Sequence, residues 1–350
     1  MNQNNSISQS DIQASIQRAA SSLQALAGSH LFITGGTGFI GRWLLTTLLE
    51  ANKEKNLELR ITALTRSPDK FTNACPELAK NPALTLVRAD IKNFDFPTEM
   101  FTHVIHAATD TNADAESRAL ELMDTIIGGT RRVLEFAKTQ SSAKVLFLSS
   151  GAIYGEQSKE LASISEVYPG ACTTTSVRSS YGQAKRMAEQ LCTVFHAQHG
   201  LETRIARCFS FVGPYMSFDG HFAIGNFIRD AVNGQPINIK GDGTPIRSYL
   251  YGADTSSWLL RILVEGRAGG VYNVGSDEAL SLSELAHRVA KNVPTSNGVA
   301  IEGQPNSSSK HSKYIPDIKL ARDELHLDVW TSLDESIRST AQWLHQQRRQ

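Results

Sequence analysis

Serine, tyrosine and lysine side chains in the middle of the sequence have the types and spacing that a coupled proton and hydride transfer requires. Ser149 and Ser150 end an apolar segment, and Tyr181 and Lys185 follow, one helical turn apart. A tyrosine with its ordinary pKa of about 10 is a poor base at neutral pH. A neighbouring ammonium can stabilise its phenolate, and a serine hydroxyl can complete the hydrogen bonds to the reacting oxygen. Together these side chains predict an enzyme that removes a proton from a carbinol while hydride leaves its carbon, or that catalyses the reverse reaction.

A glycine-rich segment nearer the N-terminus predicts where a dinucleotide would bind. A predicted strand, Leu31–Thr34, leads into Gly35, Gly38 and Gly41, and a helix is predicted from Ile40 to Asn52. The first glycine permits a tight turn, the second lets backbone approach a pyrophosphate, and the third lets helix and strand pack closely. The helix N-terminus favours the anion. The predicted contacts are Gly35, Gly38, Phe39, Ile40 and Gly41.

The end of the second predicted strand favours NADP over NAD. Arg60–Thr65 is followed by Arg66 and Ser67 rather than by the acidic residue that bonds the ribose 2′-hydroxyl of NAD. Arg66 can pair with a 2′-phosphate, although a solvated surface arginine is the plain alternative. Asp90 and Ile91 follow the third strand and are predicted to cap the adenine side of the site. A turn-forming aspartate is the alternative for Asp90.

Short apolar strands alternate with amphipathic helices over most of the chain, which predicts an α/β fold. The pattern indicates a Rossmann-type doubly wound parallel sheet, with ligands at the carboxyl ends of its strands. The predicted organisation is a tail and leader helix (1–29), a dinucleotide-binding domain (30–208) and a smaller substrate lobe (209–350) with segments that return to the sheet. The predicted strands are Leu31–Thr34, Arg60–Thr65, Leu84–Arg88, His103–Ala107, Lys144–Ser149 and Thr203–Arg207, and the predicted helices are Asp11–Ala27, Ile40–Asn52, Ala115–Thr139 and Tyr181–His199.

The composition excludes several classes of protein. The 350 residues carry 35 basic and 35 acidic side chains, so a surface built for nonspecific nucleic-acid binding is not expected. The four cysteines are far apart, which predicts neither a metal site nor a disulfide scaffold. No apolar run is long enough to span a membrane, and the polar N-terminus (1–10), predicted to be a disordered tail, lacks a secretory signal, so a cytoplasmic location is expected. Gly303–Ser312 is predicted to be a mobile loop.

Taken together, the motifs resemble extended short-chain dehydrogenase/reductases, and more narrowly the NAD-dependent epimerase/dehydratase family that acts on nucleotide sugars. The segments that carry this resemblance are Thr34–Gly41, Asp90–Ile91, His106–Ala108, Ser149–Gly155 and Tyr181–Lys185, within a similarity from about Leu31 to Leu344. The resemblance implies that Tyr181 is the catalytic base, Lys185 binds the ribose and Ser150 bonds the sugar 4-oxygen. It also places the backbone of Ala107 and Ala108 beside the cofactor.

The same resemblance implies a nucleotide-diphosphate sugar substrate. Asn226 and Arg247 match residues that hold the diphosphate, although a helix cap and a surface ion pair are the plain alternatives. Ser210 stands where the family usually has asparagine, and Tyr314 stands near a position that often carries an arginine for the nucleotide, so the base is left unassigned. The resemblance further implies a homodimer through the helices at 115–139 and 181–199, and a setting in cell-envelope polysaccharide synthesis.

Two positions depart from the family pattern and limit the expected reaction. Gly151 and Ala152 stand where 4,6-dehydratases carry an Asp-Glu pair, and UDP-glucuronate decarboxylases carry a glutamate at the position of Ala152. Neither residue here can transfer a proton. We therefore expect NAD(P)-dependent hydride transfer at C4 of a nucleotide sugar, by an epimerase or a 4-ketoreductase. Dehydration, decarboxylation and a non-catalytic cofactor-sensing protein are the alternatives.

Overall fold

The computed structural model describes residues 7–109, 117–140, 143–220, 222–303 and 312–348. Most of the predicted tail, the first residues of the helix predicted at 115–139 and the interior of the loop predicted at 303–312 lie outside these ranges. Gln9 and Ser10, which were predicted to belong to the tail, instead begin a helix. None of the helices within the described ranges has the length and apolar character needed to cross a membrane.

The described strands include six that agree with the predicted ones to within one residue at each end. The strands are β1 (His30–Thr34), β2 (Arg60–Thr65), β3 (Leu84–Arg88), β4 (His103–His106), β5 (Lys144–Ser150), β6 (Glu202–Cys208), β7 (Phe211–Val212), β8 (Ile237–Ile239), β9 (Ile246–Arg247), β10 (Leu250–Tyr251), β11 (Val271–Val274), β12 (Leu280–Ser281), β13 (Val299–Ile301) and β14 (Lys313–Tyr314).

Seven of these strands form one parallel sheet in the order β11-β6-β5-β4-β1-β2-β3. The central strands β1 and β4 are buried along their whole length, because helices cover both faces of a parallel sheet. The chain winds outward in opposite directions from β1 and β4, which creates a crevice at the carboxyl ends of these two strands. The prediction of a Rossmann-type doubly wound sheet is confirmed.

Helices fill the connections between the strands. They are α1 (Gln9–Arg18), α2 (Ala20–Ala25), α3 (Phe39–Lys55), α4 (Pro68–Ala74), α5 (Pro76–Ala79), α6 (Ala119–Thr139), α7 (Ser180–His199), α8 (Ala223–Val232), α9 (Gly252–Glu265), α10 (Leu282–Asn292), α11 (Lys319–Leu325) and α12 (Leu333–Arg348). Helices α6 and α7 pack against each other. Short 3-10 turns follow β5 at Gly151–Tyr154 and precede α7 at Val177–Ser179.

The leader is two helices rather than the single helix predicted over 11–27. The helical conformation is interrupted at Ala19, so that α1 packs on both α3 and α9 while α2 packs on α9. Arg18 forms an ion pair with Asp254, a fully buried carboxylate at the start of α9. The leader is therefore joined to the main core by charge as well as by apolar burial.

Short strands that follow β6 form small sheets apart from the main sheet, and this region is called the smaller lobe. Its strands β12, β9 and β14 form a three-stranded sheet, in which Arg247 is paired with Tyr314. Strand β11 leaves this lobe and joins the edge of the main sheet next to β6. The lobe thus faces the ends of β5 and β6, where Ser150 and Cys208 lie side by side.

Candidate active site

A cavity of about 400 Å³ lies at the crevice between β1 and β4. It is lined by the glycine turn, by the ends of β2 and β4, and by the start of α6. The lining includes the predicted cofactor residues Gly35, Gly38, Arg66, Asp90, Ile91, Ala107 and Ala108. Seven residues predicted from separate parts of the sequence are thus brought to one site.

The glycines of the turn are required for different physical reasons. Gly35 has a left-handed φ of +72°, and a Cβ there would lie 2.5 Å from the carbonyl oxygen of Ala107. A Cβ at Gly41 would lie 2.2 Å from the Gly35 oxygen, so this glycine lets α3 approach the turn. Gly38 has room for a Cβ, since the nearest atom would be 3.5 Å away, but it faces the cavity.

The first turn of α3 completes a cradle that fits a pyrophosphate. Gly38 precedes the helix and has no side chain that could cap it, so the first N–H groups are left for a ligand. Phe39 and Ile40 supply two of these groups. The turn that only glycine can make, the close backbone approach and the helix terminus together fit a dinucleotide.

A series of buried, hydrogen-bonded polar side chains fixes β4 against the glycine turn. The Thr34 hydroxyl accepts a hydrogen bond from the N–H of Ala108 (3.3 Å) and pairs with Nδ1 of His106 (2.8 Å). The other ring nitrogen of His106 pairs with the Thr130 hydroxyl on α6 (3.0 Å). Burial, together with the charge of Lys185, lowers the pKa of His106 to about 3, so the ring is neutral. These hydrogen bonds position the backbone at Ala107 and Ala108.

The far end of the cavity is basic. Arg42, Arg66 and Lys70 line it together with Ser67. Arg66 is exposed at the end of β2, as a residue that reaches a ligand phosphate would be. On the opposite wall Asp90 lines the cavity, but its carboxylate accepts the N–H of Lys92 (2.9 Å), which is the turn-forming arrangement given above as its alternative.

Tyr181 lies where this cavity adjoins a second cleft, and Lys185 and Ser150 are buried behind the cleft surface. Tyr181 lines the second cleft, and its phenol is close enough to Thr109, which lines the first cavity, for that hydroxyl to affect its pKa. Lys185 is only 2% exposed; its ammonium donates to the carbonyl oxygen of Leu148 (2.7 Å) and lies 6.0 Å from the Tyr181 ring centroid. The predicted catalytic group is therefore assembled from β5 and α7.

Burial dominates the protonation of this group. It raises the pKa of Tyr181 to about 12, although the hydroxyls of Ser150 and Thr109 work in the opposite direction. It lowers the pKa of Lys185 to about 8. These side chains alone do not bring the phenol into the working range, because both groups are taken out of water. A cationic nicotinamide would add the charge that favours the phenolate.

The two serines at the end of β5 point in opposite directions and serve different purposes. Ser149 donates to the Glu189 carboxylate, whose oxygens also accept from the guanidinium of Arg207 (2.8 Å for the closest contact). Arg207 in turn donates to the hydroxyl of Tyr154 (2.7 Å). Ser150 is on the other side of the strand, as expected for alternation along a strand, and its hydroxyl accepts the N–H of Ala152 (3.1 Å). The buried network at Ser149 holds the strand end that presents Ser150.

The second cleft has a volume of about 920 Å³ and extends from Tyr181 into the smaller lobe. Its lining includes the predicted residues Ser210 and Arg247. Arg247 donates to the backbone oxygens of Ile246 and Ser312, both at 2.8 Å, and burial lowers its pKa. An arginine held in this way presents a fixed fork to an anionic ligand.

Asn226, which is predicted to bind substrate, is not among the residues that line this cleft. Its amide nitrogen donates to the carbonyl oxygen of Gly220 (3.0 Å), and its amide oxygen accepts from Arg229 (3.2 Å). The cleft is lined instead by Phe222, Ala223 and Ile224 at the start of α8. Asn226 lies inside α8 and contacts the preceding loop, so it is not the helix cap given as the alternative; the N-cap position is Phe222.

The structure gives a steric reason for Gly151. A Cβ there would lie 2.6 Å from the hydroxyl of Tyr314 and 2.8 Å from Cζ of Phe209, so the site has no room for a side chain. Ala152 lines the cleft beside it. At the two positions that differ from dehydratases, Gly151 thus has no room for a side chain, and Ala152 places an apolar methyl group at the cleft.

Sequence reasoning missed several residues that build this site. Thr34, Thr130 and Glu189 are ordinary residues in strands and helices, and their contacts come from separate elements of the fold. Tyr314 was noted only for its departure from the family pattern, yet it lines the cleft, with its hydroxyl 3.4 Å from the carbonyl oxygen of Cys208. It lies more than 150 residues after Ser150, and the pairing of β14 with β9 helps to bring it there.

Comparison with known proteins identifies the family. The model of the NAD dependent epimerase/dehydratase family matches residues 31–275. UDP-glucuronic acid decarboxylase 6 of Arabidopsis thaliana is 29% identical over 313 residues, which cover 88% of this chain and 86% of the relative. dTDP-glucose 4,6-dehydratase of Streptomyces niveus is 25% identical over 328 residues, with 91% and 94% covered. A solved epimerase of Methanothermobacter thermautotrophicus superposes with a TM-score of 0.80 at 21% identity, covering 95% and 97%.

The chain belongs to the NAD dependent epimerase/dehydratase family and is an enzyme of that family. The glycine turn, the crevice and the Ser150–Tyr181–Lys185 group occupy the matched region.

Proposed function

We propose that this enzyme transfers hydride between a nicotinamide dinucleotide and C4 of a nucleotide sugar, as a 4-epimerase or a 4-ketoreductase. The observation that carries the proposal is the placement of Tyr181 between two clefts, with a closed wall at Gly151. One cleft suits a dinucleotide, and the other contains a fixed arginine suited to a diphosphate. An intact hydride-transfer group beside an apolar wall supports redox chemistry at one carbon without elimination of water.

The chain's own residues divide the work at the reacting carbon. Tyr181 takes the proton of the C4 hydroxyl, or returns it to a 4-keto oxygen. Ser150 donates a hydrogen bond to the same oxygen, and Lys185 holds the ribose and supplies positive charge beside the phenol. When bound, the nicotinamide supplies the hydride acceptor or donor. Arg247 anchors the diphosphate so that the sugar reaches Tyr181.

We further propose NADP as the preferred cofactor. Arg66, Arg42 and Lys70 at the basic end of the first cavity support this preference, because a 2′-phosphate adds charge where these side chains line the wall. Titration of the protein with NADPH and NADH tests it. Arg66→Ala should weaken NADPH binding by roughly tenfold or more and leave NADH binding within about twofold, from the loss of one charge-assisted contact. Arg60→Ala, an exposed arginine at the opposite end of β2, is the matched control; an equal effect of Arg66→Ala on both cofactors would refute the preference.

Decarboxylation of a UDP-glucuronate is a second candidate, favoured by the relative from Arabidopsis. Oxidation at C4 of a glucuronic acid gives a β-keto acid, which loses carbon dioxide without a further protein base. The absence of a glutamate at Ala152 therefore does not by itself prevent this outcome. Elimination of water, by contrast, needs an acid and a base that Gly151 and Ala152 do not supply.

Product analysis with a small set of probes separates these reactions. The protein is incubated with UDP-glucose, UDP-glucuronic acid and dTDP-glucose, each with oxidised cofactor, and with a 4-keto nucleotide sugar and NADPH, and the sugars are identified by NMR. A changed sugar without net cofactor consumption indicates an epimerase, and stoichiometric loss of NADPH indicates a reductase. A pentose product with carbon dioxide indicates a decarboxylase. Tyr181→Phe, which should bind cofactor but not turn over, is the control; full activity in it would refute the mechanism.

We also propose a homodimer that forms through α6 and α7. The two helices pack together and expose Leu120 (81%) and Met187 (50%), which are large apolar side chains. Light scattering after gel filtration should give twice the mass of one chain. Leu120→Lys with Met187→Lys should shift the protein toward the monomer, and a monomeric wild-type protein would refute the proposal.

A further inference from the structure

Tyr215, in the segment between β7 and α8, has a backbone conformation that the hydride-transfer reaction does not explain. Its φ is +72°, in the left-handed region that a bulky side chain rarely adopts. Strain of this kind persists where the surrounding contacts impose it, and it is concentrated at functional sites. Here the carbonyl oxygen of the preceding Pro214 accepts from Nε1 of Trp43 on α3 (3.0 Å). The Tyr215 ring also packs edge-on against Trp343, with the centroids 5.4 Å apart. The segment is therefore held against α3.

The ring of Tyr215 contacts the guanidinium of Arg42, near the start of α3. The central carbon of the guanidinium lies 5.4 Å from the Tyr215 ring centroid and 6.0 Å from that of Phe71, distances typical of cation–π contacts. The Nε of Arg42 donates to the carbonyl oxygen of Thr37 in the glycine turn (3.0 Å). Arg42 is half-buried and lines the first cavity. Three contacts thus fix this arginine at the wall of the cofactor site.

The contacts of Arg42 place it beside the end of β2. The hydroxyl of Thr37, whose carbonyl oxygen accepts from Arg42, lies 3.5 Å from the hydroxyl of Thr65, the last residue of β2. Phe71 belongs to α4, the helix that follows this strand. In a dinucleotide-binding fold of this kind, the end of the second strand contacts the adenosine ribose. Arg42 therefore lines the ribose end of the site from α3, and Arg66 lines it from β2.

The two arginines differ in the freedom that each loses when a ligand binds. Arg66 is exposed, and an exposed arginine gives up several rotatable bonds when a phosphate fixes it. Arg42 is already fixed by the glycine turn and by two rings. We propose that Arg42 is the main residue that selects NADP, and that Tyr215 is a positioning residue that holds its guanidinium at the ribose end of the site. This inference rests on the proposed NADP preference. It makes a segment of the smaller lobe contribute to the choice of cofactor.

The test is fluorescence titration of the full chain with NADPH and with NADH. Arg42→Met keeps an unbranched side chain between the two rings and should weaken NADPH binding by roughly 15- to 150-fold, from the loss of a charged contact to phosphate. Tyr215→Leu should weaken NADPH binding by roughly 3- to 30-fold, from the loss of one cation–π contact. NADH binding should stay within about twofold in both variants, because NADH lacks the 2′-phosphate. Tyr215→Phe keeps the ring and should keep the wild-type ratio of the two affinities.

Phe96→Leu is the matched control, because it removes an aromatic ring from a different arginine. The guanidinium of Arg132 lies 4.1 Å from the Phe96 ring centroid, and neither residue is among those that line the first cavity. This variant should bind both cofactors as the wild type does. A merely structural purpose of the Tyr215 ring would change stability, or the binding of both cofactors together, and would not change the ratio of their affinities.

The outcomes separate this inference from the proposed cofactor preference. A wild-type ratio in Arg42→Met or in Tyr215→Leu, with the preference reduced in Arg66→Ala, would overturn the inference and leave the NADP preference intact. Equal losses for both cofactors in Arg42→Met would also overturn it, since they would place Arg42 at the pyrophosphate. Arg42→Met keeps the inference open to refutation should Tyr215→Leu not fold. Wild-type protein that binds NADPH and NADH equally would overturn the preference and this inference with it.

Discussion

The two glycines Gly38 and Gly41 offer a direct test of how the cofactor turn is built. They are three residues apart, and each is changed to alanine, which adds a single methyl group. At Gly41 the new Cβ would lie 2.2 Å from the Gly35 oxygen, about 1 Å inside the 3.3–3.6 Å at which carbon and carbonyl oxygen make contact. The oxygen is a backbone atom and the new Cβ is bonded directly to the backbone, so α3 must move away from the turn.

At Gly38 the same methyl meets nothing closer than 3.5 Å, and the backbone there, with φ of −81°, suits any residue. We therefore expect Gly41→Ala to lower the free energy of unfolding by about 1–3 kcal/mol, the usual cost of overpacking. Gly38→Ala should fold as stably as the wild type. Its methyl projects into the cavity where we place the pyrophosphate, so the same steric cost falls on the complex and weakens dinucleotide binding by roughly 5- to 150-fold.

The assay is urea unfolding together with fluorescence titration of NADPH and NADH. Gly241→Ala, with nothing within 4 Å of the new methyl, is a control for both measurements. Wild-type cofactor affinity in Gly38→Ala would refute the placement of the pyrophosphate, and wild-type stability in Gly41→Ala would refute the packing argument.

Two further predictions concern buried charge. Burial lowers the pKa of Lys185 from its ordinary value of 10.5 to about 8 in the folded chain. Between these two pH values the unfolded chain binds more protons at this group than the folded chain does, so the free energy of unfolding rises with pH. Urea unfolding of Lys185→Met should lack that rise, and equal pH slopes in variant and wild type would contradict it. Arg18→Ala leaves Asp254 buried without its cation and should cost about 3–5 kcal/mol by thermal unfolding. Arg88→Ala, which breaks the exposed pair with Asp69, should cost at most about 1 kcal/mol, and equal losses would refute the distinction.

Local patterns in the sequence were sufficient to predict the main sheet. Strands β2 and β3 begin and end at the predicted residues, because short apolar runs bounded by turn residues are typical of strands. The glycine turn was predictable for the same reason, since its requirements are set within a dozen residues. Fold class and family were therefore within reach of sequence reasoning.

Side-chain direction and burial were not predictable in this way. Asn226 lies one helical turn from the cleft-lining residue Phe222, and only the structure shows that its amide is used by Gly220 and Arg229. The raised pKa of Tyr181 arises from burial by residues of several elements, which no spacing in the sequence reveals. Both cases depend on contacts made after the chain has folded.

The pairing of the leader with α9 has a consequence for synthesis of the chain. Arg18 and its partner Asp254 are 236 residues apart, and the buried leader residues Ile12, Ile16 and Leu23 belong to the same core as α9. At translation rates of about 5–20 residues per second, the leader waits on the order of 10–50 s before α9 is made. During that interval its apolar face has no native partner in α9, so the docking of the leader on α9 must wait until most of the chain has been made.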